Sequence, residues 1–412
     1  MTASKRRAVI VGGSMGGLYA ALHLRRKGWD VAVYERATTP LSGRGAGIMT
    51  HPELRAGMGA LGLDASRDFG VPIAERAALA RDGSIIGTLP YPQISTSWNR
   101  LFQILRTAFG DGAYHLGKDL VGFDAGRDGI VARFADGTQT AGDLLIGADG
   151  FRSAVRAQIL PDAQPVYAGY VAWRGMIEER IAAPLLTPEL FARFTFALPP
   201  SEQFLGYPVA GPDNDLRAGH RSWNIVWYRP AEEASELARL LTDESGRRHD
   251  LSIPPTLISR AVLAEMREAA RALLPPQLAE VVERLEMPLL QPIYDFETPR
   301  MVAGRVALIG DAAFVVRPHV GAGVTKAADD AAALAGALAA HSDMESALAD
   351  FEEQRLAMGR VFIARARRLG SHIKRRFASA EEEAAAAINT DPAYAMAETA
   401  QLDFLTADAR RA

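Results

Sequence analysis

An aspartate and a glycine-rich turn lie close together in residues 310–323. Residues 306–309 form an apolar run that predicts a strand ending in Gly310-Asp311, and a helix is predicted to begin at Gly321 after a loop through Pro318. A carboxylate at a strand end can accept hydrogen bonds from ribityl or ribose hydroxyl groups. The amide groups at a helix N-terminus favour an anion or an electron-rich carbonyl. This spacing therefore predicts a cofactor site.

A second glycine-rich turn lies near the amino end, between two short apolar runs. Residues 8–11 predict a strand, and Gly12-Gly13-Ser14-Met15-Gly16-Gly17 leads into a helix that ends at Gly28. The next predicted strand, 31–34, is followed by Glu35. Small residues in such a turn let a pyrophosphate approach the backbone, and an acid at the second strand end binds ribose hydroxyl groups. The pattern predicts nucleotide binding, although Ser14 replaces the usual middle glycine.

A third motif, Asp149-Gly150, follows an apolar run at 144–148 and permits two interpretations. Asp149 can contact a cofactor, or Asp149 or Ser153 can cap the helix that is predicted next. Upstream, residues 119–141 predict a β-meander with hairpin turns at Asp128-Gly129 and Asp136-Gly137. The chain therefore does not continue as a simple alternating α/β domain.

Length and composition limit the class of protein. The 412 residues suit two intertwined domains, and the net charge of −3 gives no electrostatic support for binding nucleic acid or an anionic membrane. There are no cysteines, which excludes disulfides and thiolate catalysis, and the histidines show no metal-ligand spacing, so we expect no metal. No apolar run approaches the roughly 18 residues of a membrane span. We expect a cytoplasmic protein.

The three motifs, in this order and at these separations, resemble those of the single-component FAD-dependent aromatic hydroxylases, which are built like para-hydroxybenzoate hydroxylase. The resemblance covers residues 6–360. Within this family the sequence is most similar to the 2,6-dihydroxypyridine 3-hydroxylase branch, in the stretches 167–175, 207–209, 224–228, 291–295 and 317–321.

The resemblance implies an α/β fold in which a Rossmann-like FAD-binding domain is interleaved with a smaller α+β substrate domain built on a mostly antiparallel sheet. The FAD-binding domain is expected in three segments, 1–75, 99–164 and 286–343. The substrate domain is expected at 76–98 and 165–285, followed by a helical region at 344–412. In that region we expect one long helix over 344–377 and a helical, alanine-rich end that supports a homodimer.

The resemblance also implies which residues contact FAD. The pyrophosphate is expected at the first glycine-rich turn, the adenosine ribose at Glu35, the isoalloxazine beside the loop 44–47, and the ribityl chain at Asp311. Asp149-Gly150 would serve both FAD and the nicotinamide donor, because the family has no separate NAD(P)H domain. The full expected set is Gly12, Ser14, Met15, Gly17, Glu35, Arg36, Arg44, Gly45, Ala46, Gly47, Asp149, Gly150, Gly310, Asp311, Pro318, Gly321, Ala322, Gly323 and Val324.

Four residues depart from the common pattern of the family. Ser14 and Val320 stand at glycine positions, Phe314 stands where many relatives have histidine, and Thr325 stands where asparagine is common. None of these changes removes a carboxylate or a helix N-terminus, so we expect FAD binding to be retained.

The activity implied by the resemblance is hydroxylation of a hydroxylated aromatic or N-heteroaromatic ring, such as a hydroxypyridine. NADH or NADPH and O2 would be consumed, through a flavin C4a-hydroperoxide. The sequence lacks a clear basic cluster for a 2′-phosphate, which favours NADH. Two other functions stay open: an FAD-dependent reductase or oxidase of a non-aromatic substrate, and a flavin-binding protein without turnover.

A base near the ring would activate a hydroxylated substrate by removing a proton. The candidate catalytic residues are His319, Asp295 and Tyr207, and the candidate substrate-binding residues are Tyr228, Arg174, Arg317, His319 and Val320. Several of them have a structural alternative. The histidine can bond a backbone carbonyl, the aspartate can cap a turn, the tyrosines can pack in a sheet, and Arg174 can form a salt bridge between domains.

Overall fold

The computed structural model describes residues 5–41, 47–65 and 69–408, with side chains up to 405. In this part of the chain the strands are β1 (Arg7–Val11), β2 (Asp30–Tyr34), β3 (Gly47–Met49), β4 (Val71–Leu79), β5 (Ile85–Ser97), β6 (Tyr114–His115), β7 (Leu120–Ala125), β8 (Ile130–Phe134), β9 (Gln139–Gly142), β10 (Leu144–Gly147), β11 (Val166–Glu178), β12 (Phe194–Ala197), β13 (Gln203–Val209), β14 (Ser222–Pro230), β15 (Leu289–Glu297), β16 (Val302–Ala303), β17 (Val306–Leu308) and β18 (Phe314–Val315).

The α-helices of the same residues are α1 (Met15–Arg26), α2 (Pro52–Ala60), α3 (Trp98–Phe109), α4 (Ala154–Ile159), α5 (Glu179–Ala182), α6 (Pro188–Phe191), α7 (Ala238–Leu240), α8 (Arg260–Leu273), α9 (Pro276–Glu283), α10 (Gly323–Ala340), α11 (Met344–Leu369), α12 (Ala380–Ala387), α13 (Pro392–Glu398) and α14 (Asp403–Asp408). Short 3-10 turns include Gly310–Ala312 and Pro318–Val320. No helix in the described part is long and apolar enough to span a membrane.

A six-stranded sheet positions the three motifs, in the order β16-β17-β10-β1-β2-β6. Its central strands are parallel: Val9 of β1 lies opposite Leu145 of β10 and Ala32 of β2. Strands β1, β10 and β17 are adjacent and parallel, so their carboxyl ends meet at one edge. The motifs that begin at Gly12, Asp149 and Gly310 follow these three ends, and ligands of open α/β sheets bind at such an edge.

A nine-stranded mixed sheet, β18-β15-β11-β14-β13-β12-β4-β5-β3, forms the second layer. Directly opposite residues share a face, and so do residues two apart along a strand. Ala172 lies opposite Tyr228, and Tyr207 lies opposite Asn224, so that Arg174, Tyr207 and Tyr228 project from one face. The other face carries Trp173 and other buried aromatic residues, which pack on α8 and α9.

The β-meander predicted for 119–141 is confirmed as the three-stranded sheet β7-β8-β9, with turns at both predicted dipeptides. Helix α10 begins at Gly323, two residues later than predicted, because Gly321 has φ +67° and ends the preceding 3-10 turn. The long helix predicted to reach 377 ends at Leu369. At the next residue, Gly370, the chain packs on the nine-stranded sheet, where an added Cβ would lie 2.5 Å from the Tyr170 hydroxyl.

The alanine-rich end is not one continuous helix. Helices α12, α13 and α14 are separated by turns, and α13 starts with Asp391 as N-cap and proline at its first position. The predicted domain division crosses the observed sheets in two places. The boundary at 75/76 falls inside β4, and β15 pairs with β11 although 286–343 was assigned to the FAD-binding segments. The division into domains stays a prediction.

Candidate active site

A cavity of about 520 Å³ lies between the two large sheets. The six-stranded sheet contributes mainly turns and helix starts, namely Ser14, Met15, Gly150, Gly310, Asp311, Gly323 and Val324. The opposite wall is formed by side chains and one glycine, namely Gly47, Ile48, Trp98, Arg174, Leu289 and Gln291. The wall from the six-stranded sheet therefore presents backbone groups and the Asp311 carboxylate to a ligand, and the opposite wall presents apolar surface and the Arg174 cation.

The first glycine-rich turn lets a ligand approach its backbone. Gly12 has φ +107°, and a Cβ at this position would lie 2.3 Å from the carbonyl oxygen of Ala148. A Cβ at Gly17 would lie 1.9 Å from the carbonyl oxygen of Gly12, so neither position accepts a side chain. Ser14 is the N-cap of α1, but its side chain makes no capping hydrogen bond. The start of α1 can therefore donate amide hydrogen bonds to an anion in the cavity.

Glu35 lies in a second cavity of about 50 Å³, together with Gly12, Arg36 and Asp149. One Glu35 oxygen accepts a hydrogen bond from the Gly13 amide at 2.8 Å, and the other accepts one from the Ala37 amide at 2.9 Å. Each carboxylate oxygen keeps a second lone pair. Glu35 can therefore fix the turn and still accept hydrogen bonds from ribose hydroxyl groups.

Both residues of the structural alternative cap the following helix: Ser153 is its N-cap and accepts the Arg156 amide at 2.9 Å, and Asp149 bonds its first turn. Its carboxylate accepts hydrogen bonds from the Ser153 hydroxyl at 2.5 Å, the Ala154 amide at 2.7 Å and the Val155 amide at 3.2 Å. Burial raises the pKa of Asp149, and these donors lower it. Asp149 also lines the small cavity and Gly150 the large one, so capping is compatible with cofactor contact.

Asp311 presents its carboxylate to the large cavity, immediately after β17. The side chain is exposed to the cavity, whose walls partly desolvate it. This desolvation raises the pKa of Asp311, and Lys326 opposes the rise. Among the described residues no donor bonds this carboxylate. A carboxylate that is exposed to a cavity and bonded by no described donor can accept hydrogen bonds from the hydroxyl groups of a ligand.

The start of α10 forms the third part of this wall. Its N-cap, Ala322, has no side chain that can cap the helix, and Gly323 and Val324 line the cavity. Pro318 lies outside this cavity and lines a neighbouring one of about 260 Å³, which also includes Asp311. Gly321 and Ala322 line neither cavity. The uncapped amides of α10 suit a carbonyl group that gains negative charge.

Arg174 is the cation on the opposite wall. It is half-buried on β11, its Nε atom is buried without a hydrogen-bond partner, and no described carboxylate forms an ion pair with it. The predicted alternative of a salt bridge between domains is therefore not found in the described part of the chain. A cation without a counter-ion at a cavity wall favours an anionic ligand.

Tyr207 and Tyr228 lie behind Arg174 and do not line the cavity. Burial raises the pKa of Tyr228 to about 12 and also raises the pKa of Tyr207, while Arg174 opposes both shifts. Both phenols are therefore protonated at neutral pH, which does not suit a general base. Their packing in the sheet matches the structural alternative predicted for them.

His319 is not brought to the cavity. It is 1% exposed; its Nε2 lies 2.8 Å from the Tyr170 hydroxyl and its Nδ1 lies 3.0 Å from Oε1 of Gln203. Burial lowers the pKa of His319 well below its ordinary value. Both ring nitrogens are thus occupied by side chains rather than by the predicted backbone carbonyl, and the geometry favours a structural role.

Asp295 and Arg317 bind each other rather than the cavity. Arg317 donates to both Asp295 oxygens, with the shortest contact at 2.8 Å, and Arg367 donates to the same carboxylate at 3.1 Å. Asp295 is buried, and its lone pairs are used by these two arginines. Val320 is fully buried against Phe362 and also lies away from the cavity. These placements do not support the predicted catalytic and substrate contacts.

Several wall residues were not singled out as site residues from the sequence. Trp98 stacks on Phe102 at 4.9 Å and faces the cavity with Leu289 and Gln291. The stretch 291–295 carried part of the family resemblance. No local sequence pattern indicates a role for Trp98, because only the fold brings the start of α3 to the cavity that β15 also lines. The expected contacts Arg44, Gly45 and Ala46 lie outside the described residues, whereas Gly47 lines the cavity.

The residues of the six-stranded side fit FAD. The glycines leave the backbone accessible to a pyrophosphate, and the Asp311 carboxylate can accept hydrogen bonds from hydroxyl groups. Two uncapped helix starts face the same cavity. These three features match the polar groups of a dinucleotide with a ribityl chain and a ring carbonyl.

Comparisons with known proteins agree with this fit. Residues 264–366 match the family described as FAD binding domain, residues 167–295 match FAD binding domain-like, and residues 10–70 match NAD(P)-binding Rossmann-like domain. The chain is 34% identical over 375 residues to the 2,6-dihydroxypyridine 3-monooxygenase of Paenarthrobacter nicotinovorans, covering 91% of this chain and 93% of that protein.

Solved structures show the same fold. The 2,6-dihydroxypyridine-3-hydroxylase from Arthrobacter nicotinovorans superposes with a TM-score of 0.83 at 33% identity, over 92% of this chain and 96% of that one. Klebsiella pneumoniae HpxO complexed with FAD and uric acid superposes with a TM-score of 0.70 at 26% identity, over 88% and 87%. Identity at this level over most of the chain places the protein in the FAD-dependent aromatic hydroxylases, as a monooxygenase whose cofactor is FAD.

Proposed function

We propose that the enzyme hydroxylates the anion of a hydroxylated N-heteroaromatic ring, such as a hydroxypyridine, with a reduced nicotinamide donor and O2. The observation that carries this proposal is Arg174, a guanidinium group that pairs with no described carboxylate, at the wall opposite Asp311. It offers a counter-ion for a ring oxyanion. The substrates named for similar proteins, 2,6-dihydroxypyridine and uric acid, are rings of this chemical class.

The cavity wall suits a flat, partly polar ring. Trp98, Ile48 and Leu289 supply apolar surface, and Gln291 supplies an amide beside Arg174. An oxyanion on the ring raises the electron density of the carbon that is attacked, so binding the substrate as its anion also activates it. Arg174 would thereby position the ring and hold it in its reactive protonation state.

The balance of the reaction is that of a monooxygenase. The donor loses two electrons, one oxygen atom replaces a ring hydrogen as a hydroxyl group, and the other oxygen atom leaves as water. When bound, FAD accepts the electrons from the donor and delivers them to O2. The protein holds the ring, excludes bulk water and offers the amides at the start of α10 to developing negative charge.

A substrate screen tests the proposal. Purified holoenzyme is supplied with NADH or NADPH, hydroxypyridines or oxopurines, and isotopically labelled O2, and donor oxidation and product mass are followed. We expect ring ligands to stimulate oxidation of the donor, NADH more than NADPH, and one labelled oxygen atom to enter the product. Stimulated oxidation that never labels a ring would indicate a different flavoenzyme. Bound FAD that no donor reduces, even with ligand, would indicate a protein without turnover.

A cytoplasmic location and a homodimer are further parts of the proposal that follow from the sequence rather than from the site. The homodimer is tested by measuring the mass of the purified protein in solution.

A further inference from the structure

Lys326 occupies an unusual place for a lysine. It lies in the first turns of α10, with only 1% of its surface exposed, where the partial positive charge of the helix start disfavours a cation. Lysine is almost never fully buried unless it is paired. The residue is also one step from Ala327, which lines the large cavity.

The contacts of Lys326 converge on one peptide of the cavity wall. Its Nζ atom donates to the carbonyl oxygen of Gly310 at 2.8 Å and lies 3.5 Å from an oxygen of Asp330. The same Asp330 oxygen accepts the Gly310 amide at 2.9 Å. Both backbone polar groups of Gly310 are thus held by side chains of α10. Gly310 has φ +63°, and this held conformation directs the following Asp311 carboxylate into the cavity.

Lys326 lies among several carboxylates and cations, so removal of its ammonium charge would leave the negative charge around it less compensated. The other oxygen of Asp330 accepts a hydrogen bond from Arg355 at 2.7 Å, so Lys326 and Arg355 share one carboxylate. Asp329 is a second carboxylate of α10 that interacts with Lys326, and burial raises the pKa of Asp329 to about 6. Arg156 contributes a further cation near Asp311, through hydrogen bonds to the carbonyls of Asp311 and Ala312. Asp311 is a further carboxylate on which the charge of Lys326 acts.

We propose that Lys326 is a positioning residue for the cofactor with two effects. Its hydrogen bond holds the Gly310 peptide so that Asp311 faces the ribityl hydroxyl groups, and its charge favours the reduced, negatively charged flavin over the oxidised one. The proposal rests on FAD binding and does not depend on which ring is hydroxylated.

Three substitutions separate the two effects. Lys326→Arg keeps the charge, Lys326→Gln keeps a donor without charge, and Lys326→Met removes both. Apoprotein is titrated with FAD by flavin fluorescence, and the reduction potential of the bound flavin is measured against a redox dye. We expect Lys326→Met to weaken FAD binding about tenfold, as for a lost hydrogen bond to a charged donor. We expect Lys326→Gln to stay within about threefold of the wild type.

The reduction potential distinguishes a charge effect from a general loss of packing. We expect it to become more negative in Lys326→Gln and to stay near the wild-type value in Lys326→Arg. Lys374→Met, which removes an ammonium group from the surface ion pair with Glu382, is the matched control and should change neither quantity. An unchanged potential in Lys326→Gln with FAD bound would overturn the proposal, even if Lys326→Met does not fold. Substrate turnover is not used, so a failed substrate screen leaves this test intact.

Discussion

The cavity wall and the polar layer behind it differ in how their hydrogen-bonding groups are used. At the wall, the Asp311 carboxylate has no described donor, and the Arg174 Nε has no partner. In the layer behind, His319 uses both ring nitrogens, and Asp295 is bound by Arg317 and Arg367. Both regions hold residue types that suit catalysis. Residue type alone therefore does not mark a site, whereas a polar group that lacks a partner at the wall of a cavity does.

The largest expected effect is at Asp311. Asp311→Ala removes the only carboxylate among the described residues of the large cavity wall, so we expect FAD to bind about 100-fold more weakly, as for two hydrogen bonds to a charged acceptor. The measurement is FAD content of the purified protein and titration of the apoprotein. Asp111→Ala, at a surface ion pair with Arg106, is the control. Normal FAD content in Asp311→Ala would show that the unbonded Asp311 carboxylate does not hold the cofactor, and the contrast with the hydrogen-bonded layer would lose its basis.

This contrast also explains what could be predicted from the sequence. Gly12, Glu35 and Asp311 belong to local strand–turn–helix motifs, so their place at one sheet edge follows from the parallel topology. The partners of His319 come from Gln203 and Tyr170, which are distant in sequence and are aligned only by the register of the nine-stranded sheet. The sequence around each of these residues contains no information on that strand register. The sequence therefore predicted cofactor or substrate contacts throughout 317–321, although none of these residues lines the large cavity.

The next largest effect is expected at Arg174. Arg174→Met removes the counter-ion for the ring but leaves the wall apolar, so we expect kcat/KM to fall about 30-fold, equivalent to about 2 kcal/mol. FAD affinity should not change, because Arg174 lies on the other wall. Steady-state kinetics with the best ligand of the screen measure the effect, with Arg180→Met at an exposed ion pair on the adjacent helix as control. If Arg174→Met weakened FAD binding as much as substrate binding, the two walls would not have separate roles.

A substitution at His319 examines the layer behind the wall. His319→Leu leaves the Tyr170 hydroxyl and the Gln203 amide oxygen without their partner, so we expect the free energy of unfolding to fall by about 2–4 kcal/mol. FAD affinity and the pH profile of turnover should stay as in the wild type. His220→Leu, at an exposed position, should change neither stability nor kinetics. A shifted pH profile in His319→Leu would show that this histidine exchanges a proton during catalysis. The layer behind the wall would then not be purely structural.

The smallest effect is expected at His372, which differs in its contacts from His319 and Asp295 in the packed layer. It is 2% exposed, no described side chain bonds either ring nitrogen, and burial lowers the pKa of His372 to about 4, although a backbone contact with Leu369 opposes this shift. Because the folded pKa lies below the unfolded value of 6.5, the unfolded chain binds more protons between these pH values. This histidine therefore contributes stability above pH 6.5 that is lost as the pH falls toward 4.

His372→Leu should remove that pH dependence and leave the rest of the layer in place. Relative to the wild type, we expect the variant to gain about 1.4 kcal/mol of unfolding free energy for each pH unit below about 6. Denaturant unfolding of both proteins at pH 7.5, 6 and 5 measures the difference, which cancels the contributions of Asp329 and other shared groups. A difference that does not vary with pH would mean that His372 is already protonated or hydrated in the folded state. His372 would then be accessible to water or protons, as the groups at the cavity wall are.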